Sequence, residues 1–126
     1  MTKKENFFPL GERGLIIYHN PRCKKSREGL AILENSGKEF EVVKYLDDTL
    51  SEKELSEILK LLNISPMDLV RKGEKIWKEN YKGKELSDAE IISVMVENPK
   101  LIERPIVINN KKAVVGRPPS TILEII

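Results

Sequence analysis

The sequence runs to 126 residues, of which 40% are apolar and 33% charged, with a net charge of +2 from 22 basic and 20 acidic side chains. That length fits one domain with a self-sufficient core, and so small a charge imbalance argues for neither a nucleic acid nor a membrane surface as partner. No apolar run approaches the ~18 residues a membrane helix needs, and the basic start from Met1 to Pro9 lacks the apolar stretch of a signal peptide, so a cytoplasmic protein is expected.

Residues 1–13 read as a polar N-terminal extension, and residues 14–126 as one domain. Leu15-Ile16-Ile17-Tyr18 is a short, β-rich apolar run, expected to be a buried strand. His19-Asn20-Pro21 breaks it as a turn. A helix is expected from Cys23, with Leu30, Ala31, Ile32 and Leu33 on one broad face and Gly37 as a left-handed cap after Asn35-Ser36. Phe40 to Leu46 reads as a second strand, joined to the first by one helix and therefore parallel to it.

A helical insertion is expected over about 51–97. Ser51 to Glu54 and Ser87 to Glu90 have the spacing of capping boxes. Leu55, Ile58, Leu59 and Leu62 follow the first at helical spacing, and Ile91, Ile92, Met95 and Val96 follow the second. Between them, Ser65-Pro66 opens a short helix, and Ile76, Trp77 and Tyr81 mark another. Arg104-Pro105 leads into Ile106-Val107-Ile108, Asn109-Asn110 signals a hairpin turn, and Ala113-Val114-Val115 returns. Ser120 is placed to cap a last helix through Ile122, Leu123 and Ile126. The order β-α-β, helices, β-hairpin, α is that of an α/β, thioredoxin-like fold with a small mixed four-stranded sheet.

The only cysteine, Cys23, can form neither an internal disulfide nor a multi-thiolate zinc site. It falls where the first strand gives way to a helix. The free N–H groups and the dipole of a helix start favour a thiolate and cradle an anion, and cysteines in such places ionise below the free value of ~8.5. Arg22, Lys24, Lys25 and Arg27 surround it, and each adds to this effect if it points inward. Ser26, one helical turn on, offers a hydroxyl to the thiolate. His19 offers either help in keeping Cys23 deprotonated or a donor to a bound anion.

The segment Tyr18-His19-Asn20-Pro21-Arg22-Cys23-Lys24-Lys25-Ser26-Arg27 resembles the active-site signature of the glutaredoxin-dependent arsenate reductase family, in its short branch. Tyr45-Leu46, Asn63-Ile64-Ser65-Pro66 before Leu69-Val70-Arg71-Lys72, Glu97-Asn98-Pro99 before Leu101-Ile102-Glu103-Arg104-Pro105-Ile106-Val107, and Gly116-Arg117-Pro118-Pro119 continue the resemblance in order over roughly residues 14–126. It implies that Cys23 attacks arsenate or a similar oxyanion, with His19 and Ser26 as catalytic neighbours. It further implies that Arg71, Arg104 and Arg117, with Asn20, bind the oxyanion, and that Pro105 is the structural cis-proline opposite the cysteine. Arginine suits this task because its planar fork pairs with oxyanions and keeps its charge.

No bound cofactor or metal is implied. Glutathione and glutaredoxin are the expected external reductants and partners of a monomeric enzyme, and arsenite is the expected product. The sequence departs from the family at Lys24 and Lys25, where small residues are usual. Two other readings share the fold: a thiol-dependent reductase or thiol-transfer protein with another substrate, and a redox-type transcription regulator that binds RNA polymerase. The regulators carry a Cys-x-x-Cys pair where this chain has Cys23 and Ser26.

Overall fold

The computed structural model describes residues 9–126. The first eight residues of the expected extension lie outside this range. The remainder of that extension is part of the domain: a 3₁₀ turn spans Leu10–Glu12 and buries Leu10 in the core. Arg13 grips Glu41 through both carboxylate oxygens, at 3.0 and 2.8 Å.

Four strands, β1 (Leu15–Tyr18), β2 (Glu41–Val43), β3 (Ile106–Asn109) and β4 (Lys112–Val115), form one sheet in the order β2-β1-β3-β4. β1 runs parallel to β2 and antiparallel to β3, which pairs antiparallel with β4. The helix α1 (Lys24–Asn35) makes the β1-to-β2 crossover. The insertion contains α2 (Glu52–Leu62), α3 (Pro66–Leu69), α4 (Lys75–Asn80) and α5 (Asp88–Glu97), and a 3₁₀ turn over Pro99–Leu101 leads to β3. This is the α/β, thioredoxin-like arrangement with a mixed four-stranded sheet read from the sequence.

All four residues of β1 are buried, because the sheet is covered on both faces. Successive side chains point to opposite faces. Leu15 and Ile17 therefore join Val107 against Leu33 of α1 and Ile122 of the C-terminal turn. Ile16 and Tyr18 join Ile106 and Ile108 against Leu55, Ile58, Leu69 and Met95 of the insertion. A strand buried on both faces needs no polar alternation, which is why β1 and β3 read as unbroken apolar runs.

The helix boundaries follow from capping. Ser87 and Glu90 form a complete capping box. Ser51 accepts the Glu54 N–H at 3.0 Å, while the Glu54 carboxylate accepts the Tyr18 hydroxyl at 3.1 Å. Gly37 follows α1 at φ +74°, the left-handed conformation expected of it. In the hairpin, Asn109 faces Lys112 across a two-residue turn in which Asn110 has φ +54°.

Two elements differ from expectation. β2 ends at Val43 because the Asp47 and Asp48 N–H groups both close on the Lys44 carbonyl, which turns Tyr45 and Leu46 out of the strand. The last helix is a 3₁₀ helix, Pro119–Glu124. Its bonds run three residues, Thr121 to Pro118 and Ile125 to Ile122, and the Asn109 side-chain amide caps the Ile125 carbonyl at 2.6 Å. Ile122 is consequently buried and Leu123 is left exposed.

Candidate active site

The turn after β1 is shaped by its own polar groups. Asn20 is buried, and its carbonyl groups brace the loop: the backbone oxygen accepts the Cys23 N–H at 3.0 Å and Oδ1 accepts the Arg22 N–H at 3.0 Å. Cys23 then takes the N-cap position of α1, with φ −96° and ψ 123°, and its carbonyl accepts the Arg27 N–H at 3.0 Å. Ser26, fully buried one turn in, ties the helix start back to the strand end. Its Oγ lies 2.7 Å from His19 Nδ1 and accepts the Asn20 N–H at 2.9 Å.

Burial lowers the His19 pKa, and the Lys44 charge pushes the same way. A neutral ring either accepts the Ser26 hydroxyl proton at Nδ1 or donates from Nδ1 to Ser26 Oγ, according to its tautomer. The Ser26 hydroxyl, which the sequence offered to the thiolate, is engaged by His19 and Asn20. Ser26 supports Cys23 through its backbone instead. Burial pushes the Cys23 thiol up, but the Ser26 N–H, the Arg104 guanidinium and the Lys25 N–H outweigh it and hold the thiol below its ordinary value. The cation that matters comes from the far end of the insertion. Lys24 and Lys25 are exposed, and Arg27 donates to the Pro21 carbonyl at 3.0 Å.

Arg104 arrives by tertiary pairing. The Arg71 N–H bonds to the Leu101 carbonyl at 2.7 Å and the Glu103 N–H to the Leu69 carbonyl at 2.9 Å, around an isolated bridge between Val70 and Ile102. This lays Arg71 alongside the segment that carries Arg104. The Arg104 side chain is buried, with Nη1 donating to the Lys100 carbonyl at 3.0 Å. Arg117 Nη1 donates to the Arg104 carbonyl at 3.3 Å. Both the Arg104–Pro105 and Arg117–Pro118 bonds are cis, the first as expected and the second without warning from the sequence.

Two residues the sequence did not single out complete the cluster. The Glu103 carboxylate stands between two arginines, 3.0 Å from Arg71 Nε and 3.5 Å from Arg117 Nε. It thereby fixes and partly neutralises both. Tyr45, just past β2, is buried against Arg104, Cys23 and Arg71. Both residues lie inside motifs that were visible in the sequence, but neither carried a signal of which way its side chain would turn.

The arrangement joins a depressed thiol, the N–H groups of a helix start and the Arg104 guanidinium. Those are the parts from which a nucleophile beside an anion site can be built. Among the described residues no group of three or more His, Cys, Asp or Glu side chains is placed to hold a metal ion. No helix of the described residues is long and apolar enough to cross a membrane.

Comparison with known proteins places this site in a family. The chain is 49% identical over 112 residues to the uncharacterized protein YfgD of Escherichia coli, covering 87% of this chain and 94% of that one. It is 46% identical over 114 residues to an arsenate reductase of Haemophilus influenzae, covering 89% of this chain and 98% of that one. The solved structure of an arsenate reductase from Vibrio cholerae matches with a TM-score of 0.85 at 46% identity, over 89% of this chain and 97% of that one. The model of the ArsC family matches residues 18–125. That span runs from the end of β1 to the C-terminal turn and takes in the Cys23 loop and all three arginines, so the chain is an enzyme of the ArsC family.

Proposed function

We propose that the chain reduces arsenate to arsenite through nucleophilic attack by the Cys23 thiolate, with glutathione and glutaredoxin as the external thiols. The observation that carries this reading is the depressed thiol of Cys23 at the start of α1, with Arg104 and two backbone N–H groups as its donors. The Cys23 sulfur forms a bond to arsenic, and an arsenic–oxygen bond breaks, its oxygen leaving as water after protonation. A glutathione sulfur then attacks the Cys23 sulfur. The sulfur–arsenic bond breaks with its electron pair remaining on arsenic, which falls from the +5 to the +3 state, and Cys23 and glutathione are left as a mixed disulfide. Glutaredoxin or a second glutathione reduces that disulfide.

An external thiol is required because this chain contributes only one cysteine. Arg71, Arg104 and Arg117 offset the charge that builds up when an arsenate anion meets a thiolate, the electrostatic task of such a site. His19 and Asn20, by holding Ser26 and the loop, keep the two N–H groups aimed at Cys23. A glutathione-rich cytoplasm is the compartment this reaction calls for.

The test is arsenite formation by purified protein supplied with arsenate, glutathione, glutaredoxin and its reducing system, beside a Cys23→Ser control. Turnover lost in the control is expected. A folded wild-type protein that forms no arsenite with several glutaredoxins refutes the reading.

A further inference from the structure

Tyr45 leaves β2 in the turn closed on the Lys44 carbonyl and is buried to 1% exposure. Its hydroxyl oxygen is buried and completes no hydrogen bond of good geometry, although the Arg104 guanidinium approaches it. Arg104 Nε, on a side chain that is itself 8% exposed, is buried and unpartnered in the same way. Unpaired buried polar groups are uncommon and costly, and each needs an explanation. Here the two belong to one cluster: the electrostatic neighbours of the Tyr45 phenol are Arg104, Cys23 and Arg71.

Neither group can complete the other. A guanidinium has only donors, and a phenol that takes a proton from it still has its own to give. The carboxylate that joins this cluster, Glu103, stands between Arg71 and Arg117. Cys23 draws on the Arg104 guanidinium, and what is missing is an acceptor for the Tyr45 proton. Burial pushes the Tyr45 pKa up to about 12, so at neutral pH the phenol keeps the proton with which it would donate.

We propose that Tyr45 is a substrate-binding residue, its hydroxyl and Arg104 Nε donating together to oxygens of the tetrahedral oxyanion beside Cys23. The assignment rests on the oxyanion reading above and adds to it a neutral, fixed donor. Such a donor discriminates by acceptor strength. The charged oxygens of arsenate or phosphate accept well, and the hydroxyls of neutral arsenite accept poorly, which favours release of product.

The experiment measures protection of Cys23 from iodoacetamide by arsenate and by phosphate in the wild type and in Tyr45→Phe, which keeps the ring. A hydrogen bond to a charged group is lost, so the apparent dissociation constant for either anion should rise about tenfold. Without anion the alkylation pH profile should stay as in the wild type and the thermal midpoint should hold or rise, because the variant removes an unpaired buried hydroxyl, whereas a merely structural role predicts a fall. Should Tyr45→Phe fail to fold, the Tyr45 ring resonances of the wild type decide: they should shift and saturate as phosphate is added.

Equal protection constants in the two proteins, or a Tyr45 resonance that stays still while phosphate saturates the site, overturn the assignment. So does a wild type whose Cys23 neither anion protects. A wild type that forms no arsenite yet shows protection that weakens in Tyr45→Phe refutes arsenate reduction and upholds the donor.

Discussion

Replacing Gly29 with alanine sets two effects of opposite sign against each other. Gly29 is a buried residue in the interior of α1, where exchanging glycine for alanine ordinarily gains about 1 kcal/mol of helix stability. A Cβ built there would lie 2.8 Å from Pro105 Cγ and 3.0 Å from Ile122 Cδ1. The proline ring is stiff, and it has little room to yield: a Cβ on Gly116 would come within 2.9 Å of the same ring carbon and 3.0 Å of the same Ile122 methyl. Overpacking of this kind costs about 1–3 kcal/mol, so the clash wins and the net loss should be about 1 kcal/mol. For a domain of this size that lowers the Tm by about 4 °C. Gly73→Ala is the matched control, because nothing lies within 4 Å of its Cβ position. It should leave the Tm unchanged or raise it slightly. Thermal unfolding followed by circular dichroism reads both variants. A Gly29→Ala protein as stable as the wild type, or more so, refutes the claim that Pro105 packs directly on the α1 backbone. Because Pro105 follows Arg104, the same substitution should also slow alkylation of Cys23.

The Cys23 alkylation rate should rise with pH through a midpoint below the ordinary thiol value, and Arg104→Met should move that midpoint upward; a midpoint indifferent to Arg104 removes the guanidinium as a donor. Since the folded thiol ionises at lower pH than the unfolded one, its ionisation adds stability that is fully present above the unfolded value and is lost as pH falls through the folded one, a dependence that Cys23→Ser should abolish in denaturant titrations at several pH values. Glu103→Gln should cost about 1 kcal/mol in the absence of ligand, the order expected for a pair of partly exposed ion pairs, and phosphate should then raise its Tm more than it raises that of the wild type, because the anion takes over as the shared counter-charge of Arg71 and Arg117. A smaller rise in the variant refutes the bridging role.

How much of this was legible in the sequence depended on whether the cause was local. Leu15 to Tyr18 and Ile106 to Ile108 declared themselves because strands buried on both faces need unbroken apolar runs. The Ser51 and Ser87 caps, Gly37 and the Asn109-Asn110 turn were readable because their chemistry spans three or four residues. The position of Cys23 at a helix start was readable for the same reason. The direction of side chains was not. Lys24 and Lys25 look like the source of positive charge at Cys23, yet they are exposed, and the Ser26 hydroxyl is spoken for by His19 and Asn20. The final helix was misread because apolar spacing over so few residues does not separate 3₁₀ from α.

The charge of the site was the least legible feature because it is assembled by tertiary pairing. Arg71 and Arg104 are distant in sequence, and the Val70–Ile102 bridge brings their two segments together. Motif matching gave three arginines but not the carboxylate among them. With Glu103 and an ionised Cys23 counted, the three arginines keep a single net positive charge. That is enough to draw in an arsenate monoanion and reach neutrality, and too little to hold a second anion. A site with three unopposed guanidiniums would bind any oxyanion tightly and release it slowly. On the proposed assignment Glu103 would do for affinity what Tyr45 would do for discrimination: the one would limit how strongly charge alone holds the ligand, and the other, as a neutral donor fixed by burial, would make the remaining binding depend on how well an oxygen accepts. In this account selectivity between arsenate and arsenite arises from the balance of those two side chains around Arg104, and the thiolate supplies the reaction.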